Sequence, residues 1–164
     1  MSTTMVRTIH LSLSAVAVAA VLAGCQLGSY PVLERWPPPQ GEWQVVSHKS
    51  TGVSAMSPVT AAKHVGGTVL FGSAGVVSGN DKCSLPTYVV TTIHAEPYLY
   101  RQYGVRTADL GIYPYQSVRV TEVFCDGKKW PALGGHVVWV EPDRGYAIRD
   151  GIWFELRRAG TPER

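Results

Sequence analysis

The stretch YAIRDGIWFEL, residues 146–156, decides the fold class. Two runs rich in aromatic and β-branched side chains flank Asp150-Gly151. An Asp-Gly pair supplies the two positive-φ residues of a type I′ turn, whose twist suits a pair of antiparallel strands. Beyond the turn, Ile152, Phe154 and Leu156 fall on one face of an extended chain. Trp153, Glu155 and Arg157 fall on the other. This period of two predicts a hairpin with one buried face and one wetter face.

The same pattern recurs upstream. Short apolar runs separated by Gly, Pro, Asn and Asp predict strands at 42–47, 68–71, 76–78, 88–95, 117–125, 136–141, 146–149 and 152–157. Two segments depart from it. Ser57 reads as an N-cap and Pro58 as the first helical residue of a short helix that Gly66-Gly67 ends. Residues 96–104 have Pro97 near their start and Gly104 at their end, which suits one or two helical turns. The expected fold is mainly β, a small antiparallel barrel or sandwich of about seven or eight strands with one or two short helices.

A chain of 164 residues suits one domain of ordinary size. Its 17 Gly and 11 Pro favour turns over long helices. Net charge is a mild +3, and the densest basic sites are Lys128-Lys129 and Arg157-Arg158. A nucleic-acid binder shows a basic stripe, so nucleic acid is not an expected partner.

The N-terminus has its own composition. Arg7 is the only charged residue among the first 24, and residues 11–24 read LSLSAVAVAAVLAG. That run is short of the roughly 20 residues a spanning helix needs. A basic start, an apolar middle and small residues at the end predict a signal peptide. Leu22-Ala23-Gly24-Cys25 resembles the lipobox of bacterial lipoproteins. The resemblance covers the first 25 residues. It implies cleavage after Gly24, a diacylglyceryl thioether on Cys25, and membrane attachment through the acyl chains. More than one chain gives stable anchoring. Gln26, rather than Asp, follows the cysteine; in a Gram-negative cell this implies the periplasmic face of the outer membrane. The expected organisation is a signal peptide at 1–24 and a tether at 25–40 stiffened by Pro37-Pro38-Pro39. One β domain at 41–158 and a short tail at 159–164 follow. Gly41-Glu42-Trp43 resembles the G-x-W of lipocalin-like (calycin) barrels, although the rest of that signature is absent. That resemblance implies a barrel and a small apolar ligand.

With Cys25 assigned to lipid, Cys83 and Cys125 form an even pair in an exported domain, which reads as a disulfide. It would close a loop of about 43 residues, worth ~4 kcal/mol on the chain-entropy account. The rival is a reactive or metal-binding thiol, but no Cys-x-x-Cys occurs. His48, His64, His94 and His136 lack metal-ligand spacing. Gly-x-Ser-x-Gly is absent, and FGSAG at 71–75 reads as a glycine-rich turn. No Walker or Rossmann glycine spacing occurs and no carboxylate pair stands out, so no catalytic residue, metal or cofactor is expected. The most unusual segment holds Tyr98, Tyr100, Tyr103, Tyr113 and Tyr115 with Arg101 and Arg106. Tyr and Arg combine contact area with a polar handle and are enriched at recognition hot spots. The plainer alternative is that some rings roof one end of the core. Trp36, Trp43, Trp130, Trp139 and Trp153 read as core or barrel-end residues.

Together these readings predict a lipid-anchored envelope protein whose disulfide-stapled β domain is a binding module for an unidentified envelope protein. The alternative is a lipocalin-like carrier of a small apolar ligand, and the third reading is an envelope enzyme of unknown reaction. A carrier requires an apolar cavity of about 300 Å³ or more.

Overall fold

The computed structural model describes residues 39–160. The signal peptide, Cys25, Trp36, nearly all of the tether and the last four residues lie outside them. The described chain is mainly β. It forms β1 (Gly41–Ser50), β2 (Thr68–Phe71), β3 (Gly75–Ser78), β4 (Asp81–Ser84), β5 (Thr87–His94), β6 (Ser117–Cys125), β7 (Lys128–Lys129), β8 (His136–Glu141), β9 (Arg144–Arg149) and β10 (Ile152–Arg158). Two helices, α1 (Pro58–Ala62) and α2 (Ala95–Tyr103), and a 3₁₀ turn at Thr107–Leu110 complete it. All strands join one antiparallel sheet in the order β4-β3-β2-β1-β10-β9-β8-β6-β5, with β7 pairing β6. The sheet curls into a half-barrel.

The 146–156 hairpin forms as expected. Asp150 and Gly151 both take positive φ (52° and 80°), and Arg149 pairs Ile152 across the turn. Asp126-Gly127 repeats the device between β6 and β7, again with both residues at positive φ. Ser57 caps α1, its Oγ accepting from the Thr60 N–H at 3.1 Å. Gly104 ends α2 at φ 66°.

Two expectations need correction. The described strands number ten, not seven or eight. The missed β4 reads Asp-Lys-Cys-Ser and β7 is Lys-Lys. Neither shows apolar alternation, because one is a polar edge strand and the other a two-residue addition. The second correction concerns the face of β10 expected to be wet. Trp153 is only 1% exposed. Both faces of the central sheet are covered, so there are two cores rather than one.

The concave core holds Trp43, Val69, Phe71, Val123, Trp139, Phe154 and Leu156. Trp139 is its centre. Its ring lies 4.5 Å from that of Trp43 and 5.9 Å from that of Phe71, and its Nε1–H donates to Thr121 Oγ1 at 2.9 Å. Offset or tilted aromatic pairs of this kind contribute ~0.5–1.5 kcal/mol beyond burial. The convex core holds Leu99, Leu110, Val118, Val120, Val138, Val140, Tyr146 and Trp153 under α2 and the 3₁₀ turn. β8 therefore feeds both cores, with Val137 and Trp139 on one side and Val138 and Val140 on the other. This is why His-Val-Val-Trp-Val-Glu reads as a continuous apolar run.

Cys83 of β4 and Cys125 at the end of β6 are disulfide-bonded, with Cα atoms 5.8 Å apart. The bond joins one end of the sheet path to the strand next to its other end. The Tyr88 O–H of β5 adds a hydrogen bond to the Gly72 carbonyl at 2.8 Å, between β2 and β3.

The Trp139 ring rests on Gly145, its cross-strand partner. A Cβ at 145 would stand 2.5 Å from the ring. Gly145→Ala should therefore destabilise the domain by ~1–3 kcal/mol through overpacking, read as a lower denaturation midpoint. A midpoint equal to wild type would show that the Trp139 ring is not confined there.

Candidate functional site

The Tyr/Arg segment divides in two when placed on the fold. Tyr98 and Tyr103 lie on the face of α2 that packs on the sheet, while Tyr100, Arg101, Arg106, Tyr113 and Tyr115 are exposed. The inward pair meets residues that the sequence did not single out together. The O–H groups of Tyr98 and Tyr103 both reach His136 Nε2, at 3.1 and 3.0 Å, and lie 3.4 Å apart. His136 Nδ1 is 3.6 Å from Glu122, its cross-strand partner, and Lys129 pairs with the same carboxylate. The Tyr103 ring also packs edge-on against Trp153 at 5.1 Å.

Burial holds His136 below its ordinary pKa, against the raising pull of Glu122. It is thus neutral at neutral pH, with Nε2 free to accept a tyrosine O–H when Nδ1 carries the proton. Burial likewise raises Tyr98 and Tyr103, which stay protonated. Its hydrogen bond with Lys129 holds the Glu122 carboxyl below its usual range. A Glu-His-Tyr chain is the apparatus of proton transfer on other scaffolds. Here its polar atoms are spent holding α2 to β6 and β8, and none of its residues lines the concave cleft. The signal that could have found it is the cross-strand register, which sets Glu122 opposite His136 and is invisible until β6 and β8 are paired.

The outward residues are held by a second set of bonds. The Thr107 N–H and O–H both donate to Glu96, tying the start of α2 to the 3₁₀ turn and lowering the Glu96 pKa. The Arg106 N–H donates to Asp109 at 3.1 Å. Tyr113-Pro114-Tyr115-Gln116 is a β-turn closed by the Gln116 N–H on the Tyr113 carbonyl at 3.0 Å. Pro114 sits at its second position, where a fixed φ suits the turn. Gln116 then pins the turn to the sheet: its Nε2 donates to the Val140 carbonyl at 2.6 Å, and its carbonyl accepts from Ala95. Tyr113 and Tyr115 are 81% and 96% exposed on this fixed tip, and Tyr100 is 59% exposed.

A cleft of about 220 Å³ opens on the concave face beside β5. Trp43, Trp139 and Val90 give it apolar walls, and Arg119, Thr121 and Arg158 give it polar ones. Arg158 lies over the Trp43 ring, 4.7 Å from its centroid. Among the described residues no group of three or more His, Cys, Asp or Glu side chains is placed to hold a metal ion. None of the described helices is long and apolar enough to cross a membrane. No protein family, no characterised protein and no solved structure matches the chain.

The His136 cluster makes the docking of α2 pH-dependent. A histidine whose folded pKa is depressed gives stability that is full above its unfolded value, near 6.5, and is lost as pH falls below it. The neighbouring groups do not titrate in that window, since Glu122 is held low and both tyrosines are held high. Wild-type stability should fall as pH drops below about 6.5, and His136→Gln should flatten that fall. Equal slopes in the two proteins would contradict the assignment.

Proposed function

We propose that the chain is a lipid-anchored cell-envelope protein, held through acyl chains on Cys25, whose β domain is a binding module for another envelope protein. The observation that carries the binding reading is the Tyr113-Pro114-Tyr115 tip. Two largely exposed rings stand on a proline turn whose last residue, Gln116, is hydrogen-bonded to β8 and to the start of α2. Large rings carried on a hydrogen-bonded turn contribute contact area to a partner with little backbone ordering cost. Arg101 and Tyr100 extend the same covering layer. Tyr98 and Tyr103 serve this surface indirectly, by fixing α2.

The carrier reading has less support. The concave side is packed with Trp43, Phe71, Trp139 and Phe154. The cleft of about 220 Å³ falls below the roughly 300–1,000 Å³ of small-molecule sites. The enzyme reading would rest on the Glu122-His136-Tyr cluster, which is engaged in helix docking. The anchor reading rests on the Leu22-Ala23-Gly24-Cys25 resemblance and on an oxidised Cys83–Cys125 pair, which suits an exported domain.

Two tests separate anchor from module. Cys25→Ala should abolish incorporation of labelled palmitate and release the chain from membranes; a variant that still labels removes the lipobox reading. A photo-crosslinking amino acid in place of Tyr115 should give a discrete protein adduct in the native envelope. That adduct should be lost in the Tyr100→Ala, Tyr113→Ala double variant. Adducts to lipid alone, or an adduct indifferent to the double variant, would remove the tyrosine tip as the recognition surface.

A further inference from the structure

The two ends of the sheet are treated differently. At one end β4 is four residues long, carries Asp81 and Lys82, and is tied down by Cys83. Short length, charge and covalent attachment all protect an edge from pairing with another chain. At the other end β5 is eight residues long and reads Thr-Tyr-Val-Val-Thr-Thr-Ile-His. It has no Lys, Arg, Asp, Glu or Pro, and no described strand pairs with its outer side.

The register says which backbone groups that side presents. The Ala95 N–H donates to the Gln116 carbonyl in continuation of the β5–β6 register, so the odd-numbered residues of β5 bond to β6. The Val123 N–H donates to Gly135, so the odd-numbered residues of β6 face β8, in agreement. Tyr88, Val90, Thr92 and His94 therefore direct their N–H and C=O groups away from the sheet. The Val90 side chain lines the concave cleft. A strand added along β5 would thus send alternate side chains into that cleft.

The cleft is rich in donors. Arg119 and Arg158 lie in its walls, and its one carboxylate, Glu141, is paired with Arg144. The Trp43 Nε1–H is buried without a hydrogen-bond partner among the described residues, and Trp43 is 1% exposed. A buried unpaired donor is uncommon in a folded chain and needs an explanation. We propose that β5 and the adjoining cleft form a strand-addition site for an extended peptide of a partner protein, with an acidic side chain of that peptide entering beside Arg158, where it lies over the Trp43 ring. Main-chain bonds to the β5 edge give the affinity, and the cleft gives the selectivity. A second copy of this chain fits less well, because β5 carries no acidic residue to offer the cleft.

The test is selection of a random nonapeptide phage library on the full-length chain in detergent. The enriched peptides should share one Asp or Glu among β-branched residues and lack Pro. Thr92→Pro removes an outward N–H without touching the β6 ladder, and should weaken a selected peptide about tenfold while leaving thermal stability near wild type. Arg158→Gln, or Gln for the acidic residue of the peptide, should weaken it by a similar factor. Should Thr92→Pro fail to fold, N-methylation of alternate amides in the peptide makes the same cut from the partner's side. Failure to enrich peptides, or binding indifferent to all of these changes, overturns the proposal. So does a dimer of the wild-type chain that Thr92→Pro dissolves, which would give the edge to a second copy. None of these outcomes depends on Tyr113 and Tyr115.

Discussion

The half-barrel depends on one covalent constraint. Cys83 and Cys125 are 42 residues apart in sequence and join strands that the hydrogen-bonded path of the sheet places almost at opposite ends. Without that tie, β2, β3 and β4 would be held mainly by the four-residue pairing of β2 with the start of β1. With it, the sheet must curl, and curling brings Phe71 against Trp139 and Trp43. The aromatic core is thus as much a consequence of the closure as a cause of it. A small domain gains from such a staple because it also limits the unfolded chain.

Curling leaves the convex face of β6, β8, β9 and β10 apolar and uncovered. α2 and the 3₁₀ turn cover it, and polar bonds as well as packing decide how they sit. Tyr98 and Tyr103 converge on His136, Thr107 binds Glu96, and Gln116 joins both Val140 and Ala95. Each bond spans two elements, so the covering layer has little freedom to slide. Tyr113 and Tyr115 stand in solvent on the turn joined to this layer. The recognition surface proposed here is the outer side of a lid whose inner side completes the convex core.

The sequence carried those parts of the fold that are written locally. The Asp150-Gly151 turn, the Ser57 cap, the Gly104 stop and the alternation of Ile152, Phe154 and Leu156 each need only near neighbours, and each is found. The disulfide is legible once Cys25 is set aside as the lipid carrier, which leaves Cys83 and Cys125 as an even pair. What could not be read is what depends on long-range pairing. β4 has no apolar alternation because its side chains serve an edge. Trp153 looked like a wet-face residue because nothing in 152–157 announces a helix packed above it. His136 looked isolated because Glu122, Tyr98 and Tyr103 join it only through register and helix docking. Composition marks the tyrosine segment but does not separate the two inward rings from the three outward ones.

These features describe a domain closed on one side by a disulfide and on the other by a helix, with the aromatic tip exposed and the β5 edge unpaired among the described residues. Hydrogen exchange before and after reduction of Cys83–Cys125 tests this account most directly. Reduction should strip protection first from β2, β3 and β4, while the amides of β6, β8, β9 and β10 under α2 keep theirs. Uniform loss across the sheet, or no change in β2–β4, would contradict the claim that this one bond holds the half-barrel closed.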